Sequence, residues 1–142
     1  ELLNYRKQII ARYNKELMLR DDIHVLKHFT EKYTSSGHLY LIRLVGKDEV
    51  FRNEVITKMA EAGIATNVHY KPLPLLTAYK NLGFNIEDYP NAFDMYKNEI
   101  TLPLNTFISL EQVDYVINTL LDIIREETVE NDIKQPAERF LA

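Results

Sequence analysis

The sequence predicts an α+β domain: a small three-stranded sheet covered by helices. Three observations lead there. Apolar residues recur at three- and four-residue steps near both ends of the chain, the period of an amphipathic helix. Short branched and aromatic runs between them are bounded by glycine or proline, as strands are. The length, 142 residues, fits one compact domain with a core large enough to need no staples.

The first element is a helix. Leu2, Arg6, Ile9, Ile10, Tyr13 and Leu17 follow helical steps with polar residues between them. No capping residue precedes Glu1, and an uncapped start leaves orphan amides. Residues 1–20 are therefore expected to continue a helix from a preceding domain, with part of the apolar face left bare and available for self-association. Residues 20–37 are polar, with Asp21-Asp22 and Thr34-Ser35-Ser36-Gly37, and read as a loop with one short helical turn.

His38 to Val45, bounded by Gly37 and Gly46, reads as a buried strand. Phe51, Val55, Met59 and Ala62 give the next helix its stripe, and Gly63 suits its end. Ile64 to Tyr70 alternates and reads as a second strand. Pro72 and Pro74 stop any further ladder pairing. Two short helices follow, one closed by Gly83 and one opened by Pro90. Ile100-Thr101-Leu102 reads as a third strand, stopped by Pro103. Ser109 and Gln112 have capping-box spacing, ahead of a helix with Val113, Val116, Ile117, Leu120, Ile123 and Ile124 on one face. Residues 21–127 form the expected small domain, and 128–142, lacking a sustained period, an expected mobile or extended tail.

Composition narrows the function classes. Hydrophobic residues make up 46% and charged residues 27%, which is ordinary for globular chains and excludes disorder and disulfide scaffolds. The absence of cysteine excludes thiolate zinc sites and cysteine nucleophiles, and it fits a reducing cytoplasm. A net charge of −4 argues against nucleic acid as a partner. No apolar run reaches the roughly 20 residues of a membrane span.

Few residues carry chemical signals. His24 and His28 stand four apart, the spacing of paired metal ligands on a helix, but no third ligand is evident and the HExxH pattern is absent. An exposed pair is the reading adopted, and no metal site is expected. The segment 67–74, NVHYKPLP, is more informative. It ends a strand in a proline-stiffened loop and sets an imidazole, a phenol and an ammonium side by side at His69, Tyr70 and Lys71. Rigid strand-end loops are favourable places for ligand contacts, although a core Tyr70 beside a surface His69 would satisfy the same pattern.

The blocks GIATNVHYKPLP (63–74), LLTAYKNLGF (75–84) and YPNAFDMYKNEITLPLNTFISLEQVDYVINTLL (89–121) together resemble the C-terminal small domain of the DegT/DnrJ-type sugar-nucleotide aminotransferases. The resemblance covers about residues 12–124. It implies the C-terminal fold of fold-type I aminotransferases and a pyridoxal-phosphate enzyme, a cytoplasmic homodimer. The implied reaction moves an amino group from glutamate to a keto-sugar nucleotide in amino-sugar or surface-glycan synthesis. It also implies that the Schiff-base lysine and the cofactor's other partners belong to a large N-terminal domain. Lys71 lies in an HYKP context and does not match that lysine, so neither catalytic residues nor bound cofactor are expected in this chain alone. By resemblance His69, Tyr70 and Lys71 face the nucleotide sugar. Arg43 faces either the interdomain cleft or solvent. Two other readings stay open: a family member working as a pyridoxal-phosphate sugar dehydratase, and a non-enzymatic ligand-binding or regulatory module.

Overall fold

The computed structural model describes the backbone of residues 1–139 and the side chains of residues 1–131. Helix α1 (Leu2–Leu17) leads into strand β1 (Ile23–Val25), strand β2 (Tyr40–Leu44) and helix α2 (Glu49–Glu61). Two short helices follow, α3 (Thr77–Asn81) and α4 (Pro90–Lys97), each preceded by a single 3-10 turn. Strand β3 (Glu99–Leu102) and the long helix α5 (Leu110–Arg139) complete the order.

The sheet is antiparallel in the order β1-β2-β3, as the predicted fold class requires, but its membership differs from the expectation. Residues 64–70 do not form a strand; their backbone pairs with the sheet through an isolated bridge between Asn67 and Thr101. The Asn67 side chain accepts from the Val68 amide, a local bond that competes with ladder pairing, and the prolines follow directly. The third strand is instead Ile23–Val25, inside the stretch expected as loop. Its alternation is only three residues long, too short to stand out, and it is held as an edge strand by β2.

Strand alternation divides the side chains between two faces. Tyr40, Ile42 and Leu44 of β2, with Ile23, Val25, Ile100 and Leu102, face the core, where they meet α1, α2 and α5. Ile9, Ile10, Tyr13 and Leu17 are fully buried there. The helix face expected to be partly bare therefore folds back onto its own domain except at Leu2, which stays exposed. Tyr13 stacks on Tyr40 with ring centroids 4.6 Å apart, and its hydroxyl donates to the Pro103 carbonyl at 2.9 Å.

All six apolar residues of the predicted α5 face are buried. The helix opens on the capping box, with the Ser109 amide donating to Gln112 Oε1 and the Gln112 amide to Ser109 Oγ. The chain does not leave the helix at Thr128: α5 runs on to Arg139, correcting the extended tail over those residues, and 140–142 lie outside the described residues. Lys58 of α2 supports the first turn of this continuation, since its ammonium lies 2.5 Å from Glu127 and 3.7 Å from Glu130. These ion pairs tie that turn to the domain where apolar periodicity has stopped.

Candidate functional site

The second face of the sheet carries the chemistry. Register places His24, Arg43 and Glu99 in one row across the three strands, and Leu41 beside Thr101 in the next. The 67–70 segment and α4 lie over this face, which is why all four residues of β3 are buried. Between them a cavity of about 140 Å³ is lined by Arg43, His69, Tyr70, Met95, Tyr96 and Glu99, among others.

His69 is the best-anchored group. Its Nδ1 lies 2.8 Å from Thr101 Oγ1, and its backbone amide donates to Glu99 Oε2 at 2.8 Å. Thr101 Oγ1 in turn donates to Glu99 Oε1 at 2.7 Å. The ring's other nitrogen, Nε2, has no hydrogen-bond partner among the described residues. Glu99 is only 6% exposed; burial pushes its carboxyl above the usual range, against the pull of the Thr101 and His69 donors and the Arg52 charge.

Tyr70 stands edge-on to His69 with centroids 4.6 Å apart and is 72% exposed. It lines the cavity mouth and is not a core residue. Lys71 is exposed and does not line the cavity. The structure therefore brings His69 and Tyr70 together and leaves Lys71 outside.

The cavity's α4 wall is clamped from two sides. Arg43, half-buried on β2, donates to Asn98 Oδ1 at 2.9 Å, to the Asp94 carbonyl at 2.7 Å and to Asp94 Oδ2 at 2.9 Å. Lys97 and then Arg43 hold the Asp94 carboxyl below its ordinary range. From α2, the buried Arg52 lies 4.8 Å from the Tyr96 ring centroid and 3.2 Å from Glu49. Glu49 also accepts from the Tyr96 hydroxyl at 2.8 Å.

Glu99, Thr101 and Tyr96 were not among the sequence candidates. The signal available was the alternation of Glu99 and Thr101 with Ile100 and Leu102, two polar side chains sharing one face of a short strand. His24 and His28 do not pair: His24 is exposed on β1, and His28 is buried beyond the strand against Tyr40. Among the described residues no group of three His, Cys, Asp or Glu is placed to hold a metal. No described helix is long and apolar enough to cross a membrane.

Helices over one face of a small antiparallel sheet, with a polar cavity on the other, are the architecture of a small domain found in aminotransferases of known structure. The chain belongs to the DegT/DnrJ/EryC1/StrS aminotransferase family, whose model matches residues 1–121. It is similar to the UDP-4-amino-4,6-dideoxy-N-acetyl-beta-L-altrosamine transaminase of Campylobacter jejuni, 31% identical over 124 residues, or 87% of this chain and 32% of that protein. Among solved structures, Spr1654 of Streptococcus pneumoniae in its PMP form superposes with a TM-score of 0.89 at 49% identity. That match covers 92% of this chain and 33% of the other. PseC of Helicobacter pylori, an aminotransferase involved in the biosynthesis of pseudoaminic acid, gives 0.79 at 26% identity over 88% and 33%. The chain thus spans about a third of the length of these relatives.

Spr1654 has also been solved in its PLP form, and the family implies pyridoxal phosphate for the whole enzyme. The residues around His69 do not fit a covalent site for it. The cavity has no lysine in its lining and is small. A Schiff-base amine needs surroundings that lower its pKa, whereas the Lys58 ammonium is held protonated by Glu127.

Proposed function

We propose that this chain is the C-terminal domain of a pyridoxal-phosphate-dependent sugar-nucleotide aminotransferase, and that it supplies the substrate-side wall of the active site. The observation that carries this reading is His69, anchored through Thr101 and Glu99 with Nε2 left for a ligand. In this reading the chain's residues bind and orient the nucleotide sugar: His69 contacts it, and Tyr70 shapes the mouth of the pocket. Lys71, exposed beside them, adds attraction for phosphate at longer range. The cofactor is held by a large N-terminal domain, glutamate is the amino donor, and the keto-sugar nucleotide is the acceptor. The whole enzyme acts as a cytoplasmic homodimer in amino-sugar or surface-glycan synthesis, and this chain alone is inactive.

The names of the relatives support a sugar substrate, and Glu99 and Thr101 support a site built to hold one imidazole rigidly. The test is made in the polypeptide that carries both domains. His69→Ala should lower kcat/KM for the sugar nucleotide about tenfold or more, the worth of a lost hydrogen bond with its packing, while the glutamate half-reaction keeps its rate. Equal losses in both half-reactions would show that His69 serves the fold or the cofactor instead.

A further inference from the structure

We propose that Glu99, acting through Thr101, fixes the tautomer of His69. Its Nε2 then meets the substrate as a hydrogen-bond acceptor and selects a sugar hydroxyl rather than the diphosphate. This rests on the reading that His69 touches the nucleotide sugar.

The assignment follows from counting hydrogens. A backbone amide can only donate, so the His69 N–H at 2.8 Å commits Glu99 Oε2 as an acceptor. The carboxylate accepts at Oε1 as well, and the Thr101 hydroxyl, with one hydrogen, spends it there at 2.7 Å. Thr101 Oγ1 then has only lone pairs to offer His69 Nδ1 at 2.8 Å. That nitrogen must carry the ring proton, and in a neutral imidazole Nε2 is left bare. Burial works against the charged form of Glu99, and the Thr101 and His69 amide donors, with the charge of Arg52 on α2, work for it; Arg43, its register partner on β2, donates to Asn98 and Asp94 instead. A bare Nε2 attracts a hydroxyl hydrogen and repels a phosphate oxygen, which also has only lone pairs to give. Glu99 and Thr101 are positioning residues, and the selectivity they impose is expressed at one ring nitrogen.

Two-bond proton–nitrogen correlation spectra of the nitrogen-15-labelled chain at pH 8, above the ordinary histidine range, distinguish the protonated ring nitrogen from the bare one. His69 should appear with its proton on Nδ1. Glu99→Gln keeps the shape but reverses the relay: the introduced amide donates to Thr101, whose hydrogen turns to Nδ1, so the proton moves to Nε2. Thr101→Ser should preserve the native tautomer, and Thr101→Val should release it. An Nε2–H ring in the unmodified chain, or no change in Glu99→Gln, overturns the relay. In the two-domain enzyme, Glu99→Gln should raise KM for the sugar nucleotide about three- to tenfold, the usual worth of one neutral hydrogen bond. Thr101→Ser should leave that KM near its original value. A flipped tautomer with an unmoved KM overturns the selection of a hydroxyl. Loss of the broader reading would show separately, as indifference of sugar use to His69→Ala.

Discussion

Arg43 and Glu99 are register partners across β2 and β3, yet no ion pair joins them. The guanidinium donates to Asn98 and Asp94, and the carboxylate is left to Thr101 and His69. Two opposite charges on one sheet face are thereby given separate tasks: one ties α4 to the sheet, the other holds the imidazole.

Replacing Arg43 should therefore loosen α4 more than it disturbs His69. Arg43→Met keeps most of the apolar stem but leaves the buried Asn98 Oδ1 without its donor, a loss of about 1–3 kcal/mol. Urea unfolding should show it. Arg43→Lys should not restore stability, since one ammonium cannot reproduce a planar fork shared between two partners. Full rescue by lysine would mean that charge alone matters at this position.

Pyridoxal phosphate added to the isolated chain should form no aldimine that borohydride traps at one site. The cavity beside His69 contains no lysine, Lys97 is paired with Asp94, and Lys58 is held protonated by Glu127. Mass measurement after reduction decides it. The 16.7 kDa chain should keep its mass, and stoichiometric addition to a single lysine would place a cofactor site within it.

The elements that were legible in the sequence are those whose burial is periodic. The apolar stripes of α1, α2 and α5 and the branched run of β2 could be read directly, because one face of each is core. Ile23–Val25 was not legible, being three residues whose strand state is imposed by β2. The 64–70 segment misled for the opposite reason: its alternation is real, but Asn67 and the prolines deny it a ladder. At the site, His69 and Tyr70 stood out as unusual neighbours in a stiff loop. Glu99 and Thr101 did not, since their role depends on a loop 30 residues away folding over them. The turn of α5 around Glu127 and Glu130 is held by Lys58 on another helix, which no local period can report.

Gly37 should be less replaceable than Gly46, although both have positive φ, +63° and +72°. Each substitution to alanine forces a side chain into the left-handed region, at about 1–2 kcal/mol. A Cβ on Gly37 would also lie 3.2 Å from Ile10 Cδ1, whereas one on Gly46 meets nothing within 4 Å. Because Ile10 is fully buried, it has little room to yield. Chemical denaturation should rank Gly37→Ala as the more destabilising, and equal losses would show that backbone strain is the whole effect.

Acid should weaken the domain partly through His28. This ring is buried and stacked on Tyr40, with centroids 5.4 Å apart and planes 7° from parallel. Its Nδ1 lies 3.1 Å from Ser35 Oγ, an oxygen that already accepts from the Gly37 amide. Its Nε2 is buried with no hydrogen-bond partner among the described residues, so protonation would place a charge in the core with one N–H unsatisfied. Burial depresses the ring's pKa below its ordinary value of 6.5. As pH falls, the unfolded chain takes up this proton before the folded one does. The stability that neutral His28 contributes is complete above about pH 6.5 and is lost as pH falls toward the folded-state pKa. Glu99, raised by burial, has the opposite slope at lower pH, and it cancels when two proteins that both contain it are compared. His28→Phe keeps a stacked ring and loses the Ser35 bond, so at pH 8 it should be less stable by about 0.5–1.5 kcal/mol. That deficit should shrink between pH 7 and pH 5, where only the original protein is penalised by proton uptake. Urea midpoints measured across this range test it, and parallel curves for the two proteins would show that His28 does not titrate with folding.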